Sequence, residues 1–228
     1  MAAGVSRGLL FPDLEPEAIA EGWLPEVPPM TSYQILDALA SRHPMDGYNG
    51  PGRWVYVREV METTGAYADC QRFDAVAIGL VPSVKYARVI YEVKVSRADW
   101  LRELKPKLRL RRPDGGWEPI ASHEQGQRLI ASRVSRWWDG AAIEEYAKWD
   151  AAVSLSTEFW IAAPPRVVQI HELPPEAGLV EIRPYGEGLR PKVVRPAPVR
   201  DTANPDAGFW ASVLRRAAVL RTPGSGAA

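Results

Sequence analysis

Apolar and polar positions alternate with a period of two over residues 88–95. Val89, Tyr91, Val93 and Val95 fall on one side, and Ile90, Glu92 and Lys94 on the other. A run this rich in β-branched and aromatic residues predicts a strand. Residues 73–78 read the same way and put Asp74 on a face with Val76 and Ile78. Paired as a hairpin, the two strands would set Asp74 opposite the Glu92–Lys94 face. Helical spacing appears first after Thr31-Ser32, where Ile35, Leu36 and Leu39 form a stripe. It returns near the C-terminus, where Ala207-Gly208-Phe209-Trp210 opens a short helix with Val213, Leu214 and Ala217 in register. That last helix is expected to dock on the core, with a protein partner, a second copy of the chain or nucleic acid as the alternative.

Ser96 followed three residues later by Asp99, ahead of Trp100, Leu101 and Leu104, fits a capping box. Ser96 would accept the Asp99 amide, and Asp99 would return the bond to Ser96. Asp99 therefore reads as structural, and its helix starts directly after Lys94-Val95.

Punctuation divides the chain into three. Residues 1–30, with Pro12, Pro16, Pro25, Pro28 and Pro29, read as an irregular arm. Residues 31–185 hold the periodic segments, with a basic segment inserted at about 106–145 and a turn at Pro113-Asp114-Gly115-Gly116. Residues 186–228 read as a proline-rich linker (Pro191, Pro196, Pro198) followed by the short helix.

Composition adds bounds. The 228 residues suffice for one domain with a real core. The formal net charge is zero, so only a local patch could serve nucleic acid. The lone Cys70 excludes an internal disulfide and favours a reducing, cytoplasmic setting. Gly8-Leu9-Leu10-Phe11 is too short for a signal peptide, and no run has the length of a membrane span. His43, His123 and His171 lack metal-binding spacing and are expected at polar surface positions. Gly186-Glu187-Gly188 lacks the setting of a phosphate loop.

Asp74, Glu92 and Lys94 are the candidate chemistry. Two carboxylates at the end of an apolar sheet offer a hard-cation site for Mg2+ or Mn2+, with the Val93 backbone carbonyl as an extra ligand. Lys94 beside them can steady a nucleophilic water and the charge developing on a phosphate. From Arg97 to Arg136 ten basic side chains face five acidic ones. Arg97, Arg102, Lys105, Lys107, Arg109, Arg111 and Arg112 are therefore candidates for phosphate contact, and Trp117, Trp137 and Trp138 for base stacking.

Residues 54–60, the run Arg72-Phe73-Asp74, the run 91–101 and the later segments 158–164, 172–174 and 178–182 together resemble the PD-(D/E)XK nuclease superfamily. Within it they resemble the MmcB-like DNA repair proteins. The resemblance implies an α/β fold with a restriction-endonuclease-like core, a mixed β-sheet flanked by helices. Position by position it implies Asp74 and Glu92 as metal ligands and Lys94 as the catalytic lysine. Glu59 corresponds to an acidic residue that the superfamily often supplies from its first helix. Phe73 stands where the motif's proline would be. The expected function is a metal-dependent deoxyribonuclease in DNA repair or in mobile-element or defence DNA processing. The competing expectation is a non-catalytic DNA-binding or assembly module that keeps the nuclease fold.

Overall fold

The computed structural model describes residues 29–47, 50–62, 71–111, 117–132 and 140–220. Helix α1 (Ser32–Ala40) starts at a capping box. Thr31 Oγ1 accepts the Gln34 amide at 3.3 Å, and Gln34 Oε1 accepts the Thr31 amide at 2.8 Å. Its buried residues are Ile35, Leu36, Ala38 and Leu39, the stripe expected from their spacing. A two-residue ladder, β1 (Asp46–Gly47) with β2 (Gly50–Pro51), leads into the main sheet.

That sheet has six strands: β3 (Trp54–Met61), β4 (Arg72–Gly79), β5 (Arg88–Val93), β9 (Glu158–Ala163), β10 (Ala177–Tyr185) and β11 (Gly188–Arg195). Their order is β11-β10-β9-β5-β4-β3. β3, β4 and β5 pair antiparallel, β5, β9 and β10 parallel, and β10 and β11 antiparallel. The fold is thus mixed α/β, with a mixed sheet flanked by helices. β5 lies near the middle and is buried at all six positions.

Each face of the sheet has its own core. Val89, Tyr91 and Val93 pack with α1 and with Tyr56, Ala75 and Trp160. Ile90, Val76, Phe159 and Ile161 pack on the other face with Trp100, Ala152, Phe209 and Val213. Trp100 belongs to α2 (Arg97–Glu103), Ala152 to α4 (Asp150–Leu155), and Phe209 and Val213 to α5 (Ala207–Leu220). α5 is therefore a core helix laid against β3 through Phe209, Val213 and Ala217, but Leu214, expected in the same stripe, faces away from the core and is exposed.

The basic insertion forms a second sheet. β6 (Lys107–Arg111) lies between β7 (Trp117–Ile120) and β8 (Ala142–Tyr146), both antiparallel to it. Helix α3 (His123–Ser132) covers this sheet at Gly126, where an added Cβ would stand 2.6 Å from Ile143 and 2.7 Å from Ile120. Glycine allows that close approach. The turn expected at 113–116 lies outside the described residues, as do Cys70, Trp137, Trp138 and nearly all of the N-terminal arm.

The expected linker from 186 is not one. The chain returns from β10 as the edge strand β11, with Pro191 opposite Ile182 and Pro184 opposite Leu189. Proline survives in a sheet where no ladder donor is needed, and an outer strand provides that. Pro184 has the same freedom, because β9 stops pairing with β10 at Ala163–Glu181. Beyond β11 the extended chain is pinned by Arg88. Its guanidinium donates to the carbonyls of Leu155, Thr202 and Ala203. Among the described residues no helix is long and apolar enough to cross a membrane.

Phe209 is fully buried, with its ring 6.5 Å from that of Phe73. Replacing Phe209 by Ala should cost about 3–5 kcal/mol in urea unfolding. A loss below about 1 kcal/mol would show that α5 does not contribute to the core.

Candidate active site

β5 changes pairing sense from one edge to the other, antiparallel to β4 and parallel to β9. The start of β4 and the end of β5 therefore meet at one end of the sheet. Asp74 Oδ2 accepts the Val93 amide at 2.7 Å, while the next amide, that of Lys94, donates to Ala162 at 2.9 Å. The expected hairpin is present, and Asp74 and Glu92 lie on the sheet face that carries Val76 and Ile90.

Past Val95, Ser96 Oγ accepts the Asp99 amide at 3.2 Å and starts α2. Only half of the expected capping box forms, because the Asp99 carboxylate takes Arg102 at 2.6 Å. The helix buries Trp100 and, one turn on, Glu103. That turn brings Glu103 back over the strand end, where Glu103 Oε2 lies 2.9 Å from Lys94 Nζ. Lys94 Nζ also lies 2.8 Å from Glu92 Oε1. A second ammonium enters from the link between β8 and α4: Lys148 Nζ is 2.8 Å from Glu92 Oε1 and 3.3 Å from Glu103 Oε2.

The result is a closed ring of two carboxylates bridged by two lysines. The side chains of Lys94, Glu92 and Glu103 are 3%, 7% and 8% exposed, whereas that of Lys148 is 32% exposed. Burial favours neutral lysine, but the two carboxylates outweigh it, so Lys94 and Lys148 are both held charged with raised pKa. Burial also opposes the charge on Glu103, but the lysines prevail and lower its pKa. Asp74 stands apart from the ring. Burial, and then the charge of Glu92, push its pKa up to about 6. Among the described residues, Glu103 Oε1 is buried without a hydrogen-bond donor.

These groups line a cleft of about 390 Å³, together with Val93, Asp99, Arg102 and Lys107. Asp74 and Lys148 also line a second cleft of about 400 Å³, which runs on past Glu62, Arg72, Arg109 and Tyr146. Among the described residues no three His, Cys, Asp or Glu side chains form a ready-made metal cage. One or two carboxylates suffice for Mg2+. Asp74 and Glu92 line one cleft, and Glu103 beside them has a buried oxygen with no donor among the described residues, so the donors present are the hard oxygens that a divalent ion takes.

Glu59 is not part of this group. It lies in β3, not in a helix, with a left-handed backbone (φ 54°), and it is skipped in the β3–β4 ladder between Arg58–Ala75 and Val60–Phe73. Arg216 of α5 donates to its carbonyl at 2.9 Å and lies 3.5 Å from its carboxylate. The local irregularity turns Glu59 towards α5, and it lines neither cleft.

The basic candidates separate by partner. Arg97 is committed to structure: it forks onto Glu172 and reaches the Val167 carbonyl. Lys107, Arg109 and Arg111 alternate along β6, and the first two line the clefts. Arg109 pairs with Glu144 at 3.0 Å and lies over the Tyr146 ring, and Arg111 is 3.6 Å from Glu144. Arg102 and Lys105 are exposed, and Arg112 lies outside the described residues. His43 is not at the surface. It is 4% exposed, 2.7 Å from the Tyr91 hydroxyl, and held neutral with a pKa of about 3 by burial and by Arg42.

Two members of the ring, Glu103 and Lys148, are not among the sequence-derived candidates. Glu103 could be found from its helical spacing to buried Trp100, one turn earlier. Lys148 has no local signal. Compared with protein-family models, with curated proteins and with solved structures, the chain has no match.

Asp74 yields a pH test. Its folded pKa lies above the unfolded value of 3.8, so its charge opposes folding. Stability from this group is full below about pH 4 and is lost as pH rises towards 6. Without added metal, Asp74→Asn should therefore stabilise the protein at pH 8, by up to about 3 kcal/mol, and bring no gain at pH 4. Denaturant midpoints at the two pH values measure this, and an equal effect at both would refute the assignment.

Proposed function

We propose that this chain is a Mg2+- or Mn2+-dependent deoxyribonuclease of the PD-(D/E)XK type, with a restriction-endonuclease-like core. Carrying the reading is the convergence of Asp74, Glu92 and Lys94 in one cleft at the end of β5. Asp74 and Glu92 would hold the ion, with the Val93 carbonyl as a further donor. When bound, the ion supplies a polarised phosphoryl oxygen and a bound water of lowered pKa. Lys94 is kept charged by its two carboxylates, which suits it to donate. It steadies the attacking oxygen or the charge on the phosphate. Glu59 lines neither cleft and its carboxylate lies by Arg216, so this reading gives it no part in the mechanism.

DNA is the proposed substrate because Lys107 and Arg109 of β6 line the two clefts that share Asp74 and Lys148. Contacts of that kind are sequence-independent and weaken with salt. By its resemblance, the protein would act in DNA repair or in mobile-element or defence DNA processing. One observation favours a second reading, a non-catalytic DNA-binding module: Lys94 and Lys148 already balance Glu92 and Glu103 without any ion.

Cleavage of labelled single-stranded, duplex and branched DNA with Mg2+ or Mn2+ separates the two. Under the nuclease reading, Glu92→Gln and Lys94→Ala each lower cleavage by about 100-fold or more while DNA binding persists. Binding without cleavage by the wild type would establish the second reading instead. Lys107→Ala should weaken binding to every sequence alike and flatten the slope of log affinity against log salt by about one. An unchanged slope would remove Lys107 from the interface.

A further inference from the structure

The carboxylate ring holds two lysines whose situations differ. Lys94 is sealed beside Glu92 at the end of β5. Lys148 sits at the cleft mouth, on the short link between Tyr146 at the end of β8 and Asp150 at the start of α4. Glu92 Oε1 accepts both ammoniums, and so does Glu103 Oε2, while Glu103 Oε1 has no donor among the described residues. A buried carboxylate oxygen without a donor is costly. It marks a place that is under-filled by the groups now present.

We propose that the Lys148 ammonium stands in the cation position of this cleft, and that a divalent ion and Lys148 compete for Glu92 and Glu103. The proposal rests on the metal-binding part of the reading above and adds Glu103 to the residues facing the ion. Charge balance argues for it. The lining balances as it stands when ionised, with Asp74, Glu92, Asp99 and Glu103 against Lys94, Arg102, Lys107 and Lys148, so an added divalent ion leaves a surplus that displacing Lys148 halves. With Lys148 still in place the whole surplus would be held in a confined space. Lys148 also has somewhere to go, since it lines the adjoining cleft with Glu62 and Asp150. Ion binding at β5 would thereby release the link that ties the small basic sheet to the site.

The test is Mn2+ titration of the full chain by calorimetry, paired with the Mn2+-dependent rise in melting temperature, for wild type, Lys148→Met and Glu103→Gln. Lys148→Met should bind Mn2+ at least fivefold more tightly than wild type and show the larger rise in melting temperature. Glu103→Gln should bind more weakly than wild type. Lys148→Gln, which keeps a donor for the carboxylates, replaces the methionine variant if that one does not fold. Equal or weaker Mn2+ affinity without Lys148 overturns the proposal, as does unchanged affinity in Glu103→Gln. Cleavage assays on the same samples separate the two ideas. Wild-type cleavage with no effect of Lys148 on affinity leaves the nuclease and sinks the competition. Tighter binding in Lys148→Met with no cleavage by any variant does the reverse. Absence of Mn2+ binding in every variant overturns both.

Discussion

Burying charge at the end of an apolar sheet is the constraint on which the rest of this protein depends. A single carboxylate withdrawn from water costs several kcal/mol unless a partner compensates it, and removing one partner of a buried pair costs about 3–5 kcal/mol. Glu92 and Glu103 are buried, so Lys94 and Lys148 must both reach them. Those four residues come from β5, α2 and the β8–α4 link. The ring therefore ties the main sheet, α2 and the small basic sheet into one arrangement.

The sheet's pairing makes this meeting possible. β5 is antiparallel to β4 but parallel to β9, so it delivers its C-terminal residues to the end where β4 begins. In open α/β sheets the crevice beyond the strands' carboxyl ends is the usual place for a ligand. Here β6 contributes Lys107 to that crevice and Arg109 to the one beside it, while Arg109 and Arg111 also pair with Glu144. Arg97 shows the limit of reading charge as function. Its guanidinium is used by Glu172, which also accepts the Trp100 indole N–H at 2.9 Å, and the pair anchors the start of α2.

Local pattern determined a good deal. The period of two over residues 88–95 placed Val89, Tyr91 and Val93 on one face and Ile90 on the other, and the two cores follow that division. The start of α1 after Thr31-Ser32, the Ser96 cap and the Val213–Ala217 part of the stripe on α5 were legible because caps and helical faces depend on residues three or four apart. The pairing of Asp74 with the end of β5 was legible too, since adjacent strands joined by a short connection pair readily.

What the pattern could not decide is which distant groups share a charge. Proline content read as linker, but tolerance of proline depends on which strand edge is open, a property of β10 and β11 within the whole sheet. Glu59 read as a site residue by position, but one left-handed backbone angle gave it to Arg216. His43 read as surface, yet its ring is packed among Trp54, Tyr56 and Tyr91, contributed by two different strands. Lys148 reaches Glu92 across more than fifty positions of sequence. The sequence by itself determined the strand that carries Glu92 and Lys94 and the face they use, because that depends on neighbours two positions away. Only the tertiary structure decided which cations complete them, because desolvation and Coulomb energy depend on distance in space and not along the chain.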